Sequence, residues 1–330
     1  MKQNFDLHMH TTYCDGLNTA EEMIMSAIDK GLSVVGLSGH SFTPHDTCYC
    51  MSREGTLQYI DEVKQLREKY EGRIKVLLGL EMDYYADTDT TPYDYIIGSV
   101  HYLFTEKGRE KRDSILSGRT SDDRSATDAA VLALQKWTDW TAVDDEPYDL
   151  RRFALTQDMD MMSVAKLFYE TAGSVISQTD CDFIGHFDLL TKFNERFRLR
   201  PEETVIDTDK ETAPAGAVEF FDTSDPEYVA AWKNAIDRIF SECEERYRRG
   251  YRNKLETLGI LEAGEKPVFE INTGAISKGY RTTPYPAPDQ RDYIRSKGGI
   301  LILSSDSHRT DTICCGFDEY DSLRTDASSQ

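Results

Sequence analysis

Near the N-terminus, His8 and His10 stand two residues apart, and the turn-forming stretch Thr12-Tyr13-Cys14-Asp15-Gly16 follows them. Phe5, Leu7 and Met9 alternate with Asp6, His8 and His10, the period of a strand, so both imidazoles leave on one face and can reach one metal ion. The turn releases Asp15 just beyond the strand end. The same residue types recur along the chain as His40, Glu81, His101, His186 with Asp188, and Asp306 with His308. Imidazoles and carboxylates together suit zinc, manganese or iron, and a carboxylate can bridge two ions. The chemistry that needs such a set is metal-assisted hydrolysis, in which the ions neutralise phosphoryl oxygens, acidify water and orient an in-line attack. No nucleophilic side chain is then required. The chain has no Gly-rich phosphate loop, no Gly-x-Ser-x-Gly elbow and no Cys/His protease signature.

These residues are delivered by alternating strand and helix signals. Thr19 and Glu22 form a capping-box pattern that opens a helix ending at Gly31, and the short apolar run Val34-Val35-Gly36-Leu37 then leads to His40. Ser52 opens a helix to about Gly72, and a strand from Ile74 to Leu80 leads to Glu81. Tyr95–Val100 leads to His101. A helix over 160–178 precedes Phe183-Ile184-Gly185 and His186, and a long helix from Glu227 to Leu258 precedes Val268–Ile271. A last helix, Asp289 to Lys297, precedes Ile300–Leu303 and then Asp306 and His308. About seven strands joined mostly by helices read as an α/β chain whose parallel sheet closes into a barrel. Such barrels place active sites at the C-terminal ends of their strands, where six of the seven histidines fall, His45 being the exception.

The chain has 330 residues and 39% hydrophobic content, enough for one large barrel domain over 1–330. A formal net charge of -21 disfavours nucleic acid as a partner. No apolar run is long enough to span a bilayer, and the first residues lack signal-peptide order, so the expectation is a cytoplasmic protein without a membrane partner. Seven cysteines without a regular framework fit reduced thiols.

Together, His8-Met9-His10 with Asp15, Ser38-Gly39-His40-Ser41, Gly79-Leu80-Glu81, Gly98-Ser99-Val100-His101, Gly185-His186-Phe187-Asp188 and Ser305-Asp306-Ser307-His308 resemble the motifs of the polymerase and histidinol phosphatase (PHP) family. Phe42-Thr43-Pro44, Lys192-Phe193-Asn194 and Glu270-Ile271-Asn272-Thr273-Gly274 resemble its histidinol-phosphatase branch. The resemblance runs from Phe5 to about Tyr320 and implies a distorted, TIM-like (β/α)7 barrel holding three divalent ions, zinc, manganese or iron. By position it gives His8, His10, Glu81 and Asp306 to one ion, Glu81, His101 and His186 to a second, and Asp15, His40 and His308 to a third. It implies a phosphomonoesterase that hydrolyses L-histidinol phosphate in histidine biosynthesis, with Asp15, Glu81 and Asp306 at the reacting centre and Asp15 one candidate proton donor. A PHP-type phosphoesterase acting on nucleotides or nucleic-acid ends, and a metal-binding protein without catalysis, are the alternatives. Where the family usually has Asp before the residue matching His40, this chain has Gly39.

The stretches 107–152 and 201–222 read as insertions, polar and acidic, with a short helix from Ala129 to Trp140 whose Leu132, Trp137 and Trp140 need a partner surface. Both follow barrel strands, which makes them a lid, a homo-oligomer contact or a disordered surface loop. The chain stops at Thr325–Gln330, where the resemblance implies a further helix and strand, so a truncated C-terminus is expected. Substrate phosphate needs cations, for which Arg281 is the first candidate and Lys192 the second; Glu270 would hold a substrate amine or cap its strand end.

Overall fold

The structure is a computed structural model and describes residues 2–117, 124–200, 202, 204–207 and 212–325. Seven strands, Phe5–Asp6, Val34–Leu37, Lys75–Asp83, Tyr95–Ser99, Phe183–Ile184, Val268–Asn272 and Ile300–Ser304, pair side by side in chain order, all in parallel. Helices cover the outside, so the strands are buried on both faces and read as short apolar runs. The barrel is nearly closed. Its first and last strands meet beyond the first ladder, where Met9 bridges Ser307, His10 N donates to Ser307 O at 2.8 Å and Ser307 N donates to His8 O at 3.2 Å. The Gln3 side chain ties the same seam, donating to Leu303 O at 2.7 Å and accepting from Leu303 N at 2.9 Å. Buried Asp6 takes Ser305 N at 3.1 Å and Cys314 N at 3.2 Å, side-chain bonds that replace ladder bonds where the first strand ends sooner than its alternation predicts.

Tyr95 fills the floor of the barrel. Its hydroxyl donates to Leu7 O at 2.5 Å, and a Cβ at Gly36 or Gly79 would lie 2.2 Å from its ring or hydroxyl, so those two strands need glycine to pass it. With Leu77, Ile97, Phe183, Val268 and Ile302 it forms an apolar plug beneath the polar layer above.

Two long helices are each broken in two. The stretch 160–178 forms Met161–Ala172 and Val175–Thr179, split at Gly173, whose added Cβ would lie 3.2 Å from Ala235 Cα on a neighbouring helix. The stretch from Glu227 forms Pro226–Arg248 and then Lys254–Thr257, divided by Gly250 at φ +96°.

The first insertion is a structured wall. Tyr102–Phe104 pairs antiparallel with Trp140–Ala142, flanked by helices Glu106–Ser117, Arg124–Leu132 and Asp149–Thr156. The helix expected over Ala129–Trp140 therefore ends at Leu132; Trp137 takes a left-handed turn at φ +65°, and Trp140 is a buried strand residue. Tyr85, Tyr102, Phe104, Val131, Leu134 and Trp140 give this wall its own apolar cluster, which periodicity did not reveal because it draws on several short elements. In the second insertion Val205–Asp207 pairs with Phe197–Leu199. Parts of both insertions, 118–123 and 201, 203 and 208–211, and the terminal stretch 326–330 lie outside the described residues. All seven cysteines are free thiols, and among the described residues no helix is long and apolar enough to cross a membrane.

Candidate metal centre

The C-terminal ends of the strands converge on Glu81, which is 1% exposed. Its Oε1 lies 2.8 Å from His186 Nε2 and 3.2 Å from His101 Nε2. Its Oε2 lies 2.9 Å from His40 Nδ1, 3.2 Å from His8 Nε2 and 3.5 Å from His10 Nε2. One carboxylate therefore stands between two sets of imidazoles. Asp306 Oδ1 approaches His10 Nε2 at 3.1 Å and His8 Nε2 at 3.7 Å, and Asp15 Oδ2 lies 3.0 Å from His308 Nε2. All nine candidate ligands meet in this one place.

Their groupings overlap more than three separate sets would. Ligand atoms within 4.8 Å of one another join His10, Asp15, His40 and His308; His8, His186 and Asp306; His8, His10 and Glu81; and His40, Glu81 and His101. The resemblance alone assigned His10 apart from Asp15 and His186 apart from Asp306. Buried His8 Nε2, His10 Nε2 and Glu81 Oε2 have no hydrogen-bond partner. Buried polar atoms left unpaired cost about 1–3 kcal/mol each, and a cation between them would remove that cost. The donor set thus fits divalent metal ions.

The charge states of three carboxylates and of His10 agree with ligation. Burial alone would raise Glu81, but His40, His8 and His101 hold its carboxyl well below the usual range. Asp306 is likewise pushed up by burial and held well below by Lys278 and His8. For Asp15, burial is overridden by His40, His308 and His10, which keep it ionised and suit it to ligation better than to proton donation. Burial, with His308 and His40 nearby, lowers His10 to about 3 and keeps it a neutral donor.

The candidate ligands are braced from behind. Glu270 is fully buried; its Oε2 faces His8 Nδ1 at 2.8 Å and accepts from Ser304 Oγ, and its Oε1 accepts from His186 N and from Asn272 Nδ2 at 2.7 Å. It orients ligands and has no free oxygen for a substrate amine, which corrects one of the two roles expected for it. Asp83 accepts from His101 N at 3.0 Å and lies 3.4 Å from His101 Nδ1; its place two residues after Glu81, on the same strand face, was a readable signal that sequence reasoning missed. Asp306 adopts a left-handed φ of +48°, and a Cβ at Gly274 would come within 2.7 Å of its Oδ2, so Gly274 makes room for that carboxylate.

A cavity of about 540 Å³ opens over this cluster. Lys192 and Lys278 line it, whereas Arg281 does not. Arg281 is buried beside it: the guanidinium donates to Thr191 Oγ1 and to Thr283 O at 3.2 Å, lies 3.8 Å from Asp188 Oδ2 and stacks 4.3 Å over the Tyr285 ring. The role expected of Arg281, holding substrate phosphate, thus finds no support in the geometry, because it does not line the cavity and its Nε and Nη1 are already engaged. Lys192 donates to Asp144 O at 2.5 Å and Asp144 Oδ2 at 3.1 Å; burial raises Asp144, yet Lys192, His101 and His186 bring it to about 2. Lys278, exposed and close enough to lower Asp306, went unselected although it stands three residues before Arg281. A second hollow of about 530 Å³ lies between Met161–Ala172 and Pro226–Arg248, but no histidine lines it.

Residues 6–135 match the PHP domain. The "Probable histidinol-phosphatase" of Deinococcus radiodurans is 35% identical over 109 residues, 30% of this chain and 42% of that protein. The chain thus matches less than half of that relative's length. A Listeria monocytogenes structure described as "putative histidinol phosphatase hisK" superposes at TM-score 0.63 and 14% identity, covering 96% of this chain and 99% of that one. A Lactococcus lactis histidinol phosphate phosphatase, crystallised with zinc, L-histidinol and phosphate, superposes at 0.54 and 16% identity over 97% and 92%. At such identities the likeness is one of fold, and it extends beyond residues 6–135 to nearly the whole chain.

Proposed function

We propose that residues 1–330 form one barrel domain acting as a metal-dependent phosphomonoesterase on L-histidinol phosphate, releasing L-histidinol and phosphate. The observation that carries this is Glu81, a buried carboxylate with His101 and His186 on one oxygen and His40, His8 and His10 around the other. Such a carboxylate suits adjacent divalent ions, and the nine donors suffice for three, of zinc, manganese or iron. When bound, the ions supply positive charge to the phosphoryl oxygens and lower the pKa of water.

The chain's own residues do the rest. Water oxygen forms the new bond to phosphorus while the P–O bond to the alcohol breaks, and the departing alkoxide takes up one proton. Lys278 and Lys192, on the cavity rim, bring positive charge to the phosphoryl group as its charge redistributes. Glu270 fixes the ring of His8 from behind, and Asp83 holds the backbone of His101. Asp15, held ionised, serves as a ligand; the proton for the alkoxide comes from solvent in the open cavity.

The relatives support this reading through their names, and the Lactococcus structure through its bound L-histidinol and phosphate. Incubating metal-loaded protein with L-histidinol phosphate and a panel of phosphomonoesters, with phosphate release as readout, tests it. Turnover of L-histidinol phosphate abolished by a chelator is the expected result; no release from any ester by protein with stoichiometric metal would overturn it.

A further inference from the structure

Opposite the metal cluster, the cavity has a second wall built from the loop after His40 and from the ribbon of the first insertion. Tyr49 joins the two walls, its ring centroid 4.7 Å from that of His40 and 6.1 Å from that of Tyr102. Asp46 is held there by Tyr102 Oη, which donates to Oδ2 at 3.0 Å, and by Cys48 N, which donates to Oδ1 at 3.3 Å. Neither bond neutralises it, and among the described residues no cation pairs with it. The one lysine on this wall, Lys136, is already engaged with Asp145 and Asp149, at 2.9 Å each. Beside Asp46, His45 is 2% exposed and borders the cavity, yet neither ring nitrogen has a hydrogen-bond partner. Its ring is fixed edge-on by Tyr102, Phe104 and Trp140, with centroids 4.4, 4.9 and 5.1 Å away, so it cannot turn to find one.

An unneutralised carboxylate, aromatic faces and a fixed, unpaired imidazole share one preference, a compact organic cation with N–H donors. The adjoining metal wall takes a phosphoryl group. We propose that Asp46, His45 and Tyr49 form a cation subsite that selects phosphomonoesters of amino alcohols, with the ammonium a few bonds from the ester oxygen; this rests on the phosphomonoesterase reading above. The carboxylate receives the ammonium charge, His45 accepts an N–H through one ring nitrogen, and the Tyr49 ring lies along the connecting carbons. Because Trp140 comes from the insertion and packs against Tyr102, selectivity is a property of this chain's own wall.

The test compares kcat/KM of metal-loaded protein for L-histidinol phosphate and for 2-phenylethyl phosphate, a neutral ester of similar size, in wild type, Asp46→Asn and His45→Phe. Asp46→Asn keeps the acceptor for Cys48 N and removes the charge. The ratio of the two kcat/KM values should favour the cationic ester in wild type and fall about tenfold in Asp46→Asn, the worth of one charge-assisted contact. His45→Phe should raise KM for the cationic ester more than it lowers kcat, at unchanged metal content. A ratio near one in wild type, with both esters hydrolysed, overturns the subsite while leaving the phosphomonoesterase reading intact. If neither ester is hydrolysed, calorimetric titration with L-histidinol decides: binding that weakens about tenfold in Asp46→Asn supports the subsite, and equal or absent binding in both proteins overturns it.

Discussion

Glu270 Oε2 lies 2.8 Å from His8 Nδ1, while the other nitrogen of that ring faces Glu81 and Asp306. The ring is thus held between a bracing carboxylate and the candidate metal position. Glu270, Glu81 and Asp306 together overcome burial and raise His8 well above the usual imidazole range, so a metal ion that binds Nε2 must displace a proton there. Glu270→Gln should keep the fold and weaken metal binding by about 10–100-fold, as loss of such braces does. Competition with a chromophoric chelator measures it; unchanged affinity would show that the brace is dispensable.

Glu81→Ala should be the most damaging single change among the candidate ligands, because Glu81 alone contacts five imidazoles. Elemental analysis should find at least two ions lost, whereas His101→Ala should lose one. If Glu81→Ala retained full metal content and turnover while His101→Ala lost both, the carboxylate would not be a bridge.

The candidate ligands were legible in the sequence because most lie near the end of a short apolar run or just beyond it, where the change from buried to polar residues marks the strand end. His8 and His10 do leave one face, with ring centroids 5.2 Å apart. The insertion wall was not legible: Trp140–Ala142 is three residues long and pairs with Tyr102–Phe104 across an intervening pair of helices, so neither segment carries a local period. The placement of Arg281 was equally hidden, since its main partners Thr191 and Asp188 lie about ninety residues earlier and nothing local announces them.

Arg281→Ala should therefore act on stability. It would take from Asp188, which is 1% exposed and already raised by burial despite Arg281 and Arg291, its ion-pair partner. Breaking such a buried pair costs about 3–5 kcal/mol, read as a shift in the urea midpoint at unchanged slope. A variant of wild-type stability with a large loss of kcat/KM would instead return Arg281 to the substrate.

Acid should destabilise the protein through His45. Burial is the main cause that lowers its pKa to about 3, Asp83 opposing and Arg112 adding to it, whereas the unfolded chain has an ordinary histidine near 6.5. Between those values the unfolded state binds the extra proton, so stability rises with pH through this window and is level above about 6.5. As pH falls from 7 to 4, His45 should remove about 3 kcal/mol, on the order of 1.4 kcal/mol for each unit below 6.5. His45→Phe, packed against Tyr102, Phe104 and Trp140, has no proton to bind and should lack this loss. Urea unfolding of chelated wild type and variant at pH 7, 5 and 4 isolates it, because the other titrating groups are common to both. The variant should gain on wild type by roughly 3 kcal/mol between pH 7 and 4; a difference that stays constant with pH would mean that His45 carries its proton in the folded state.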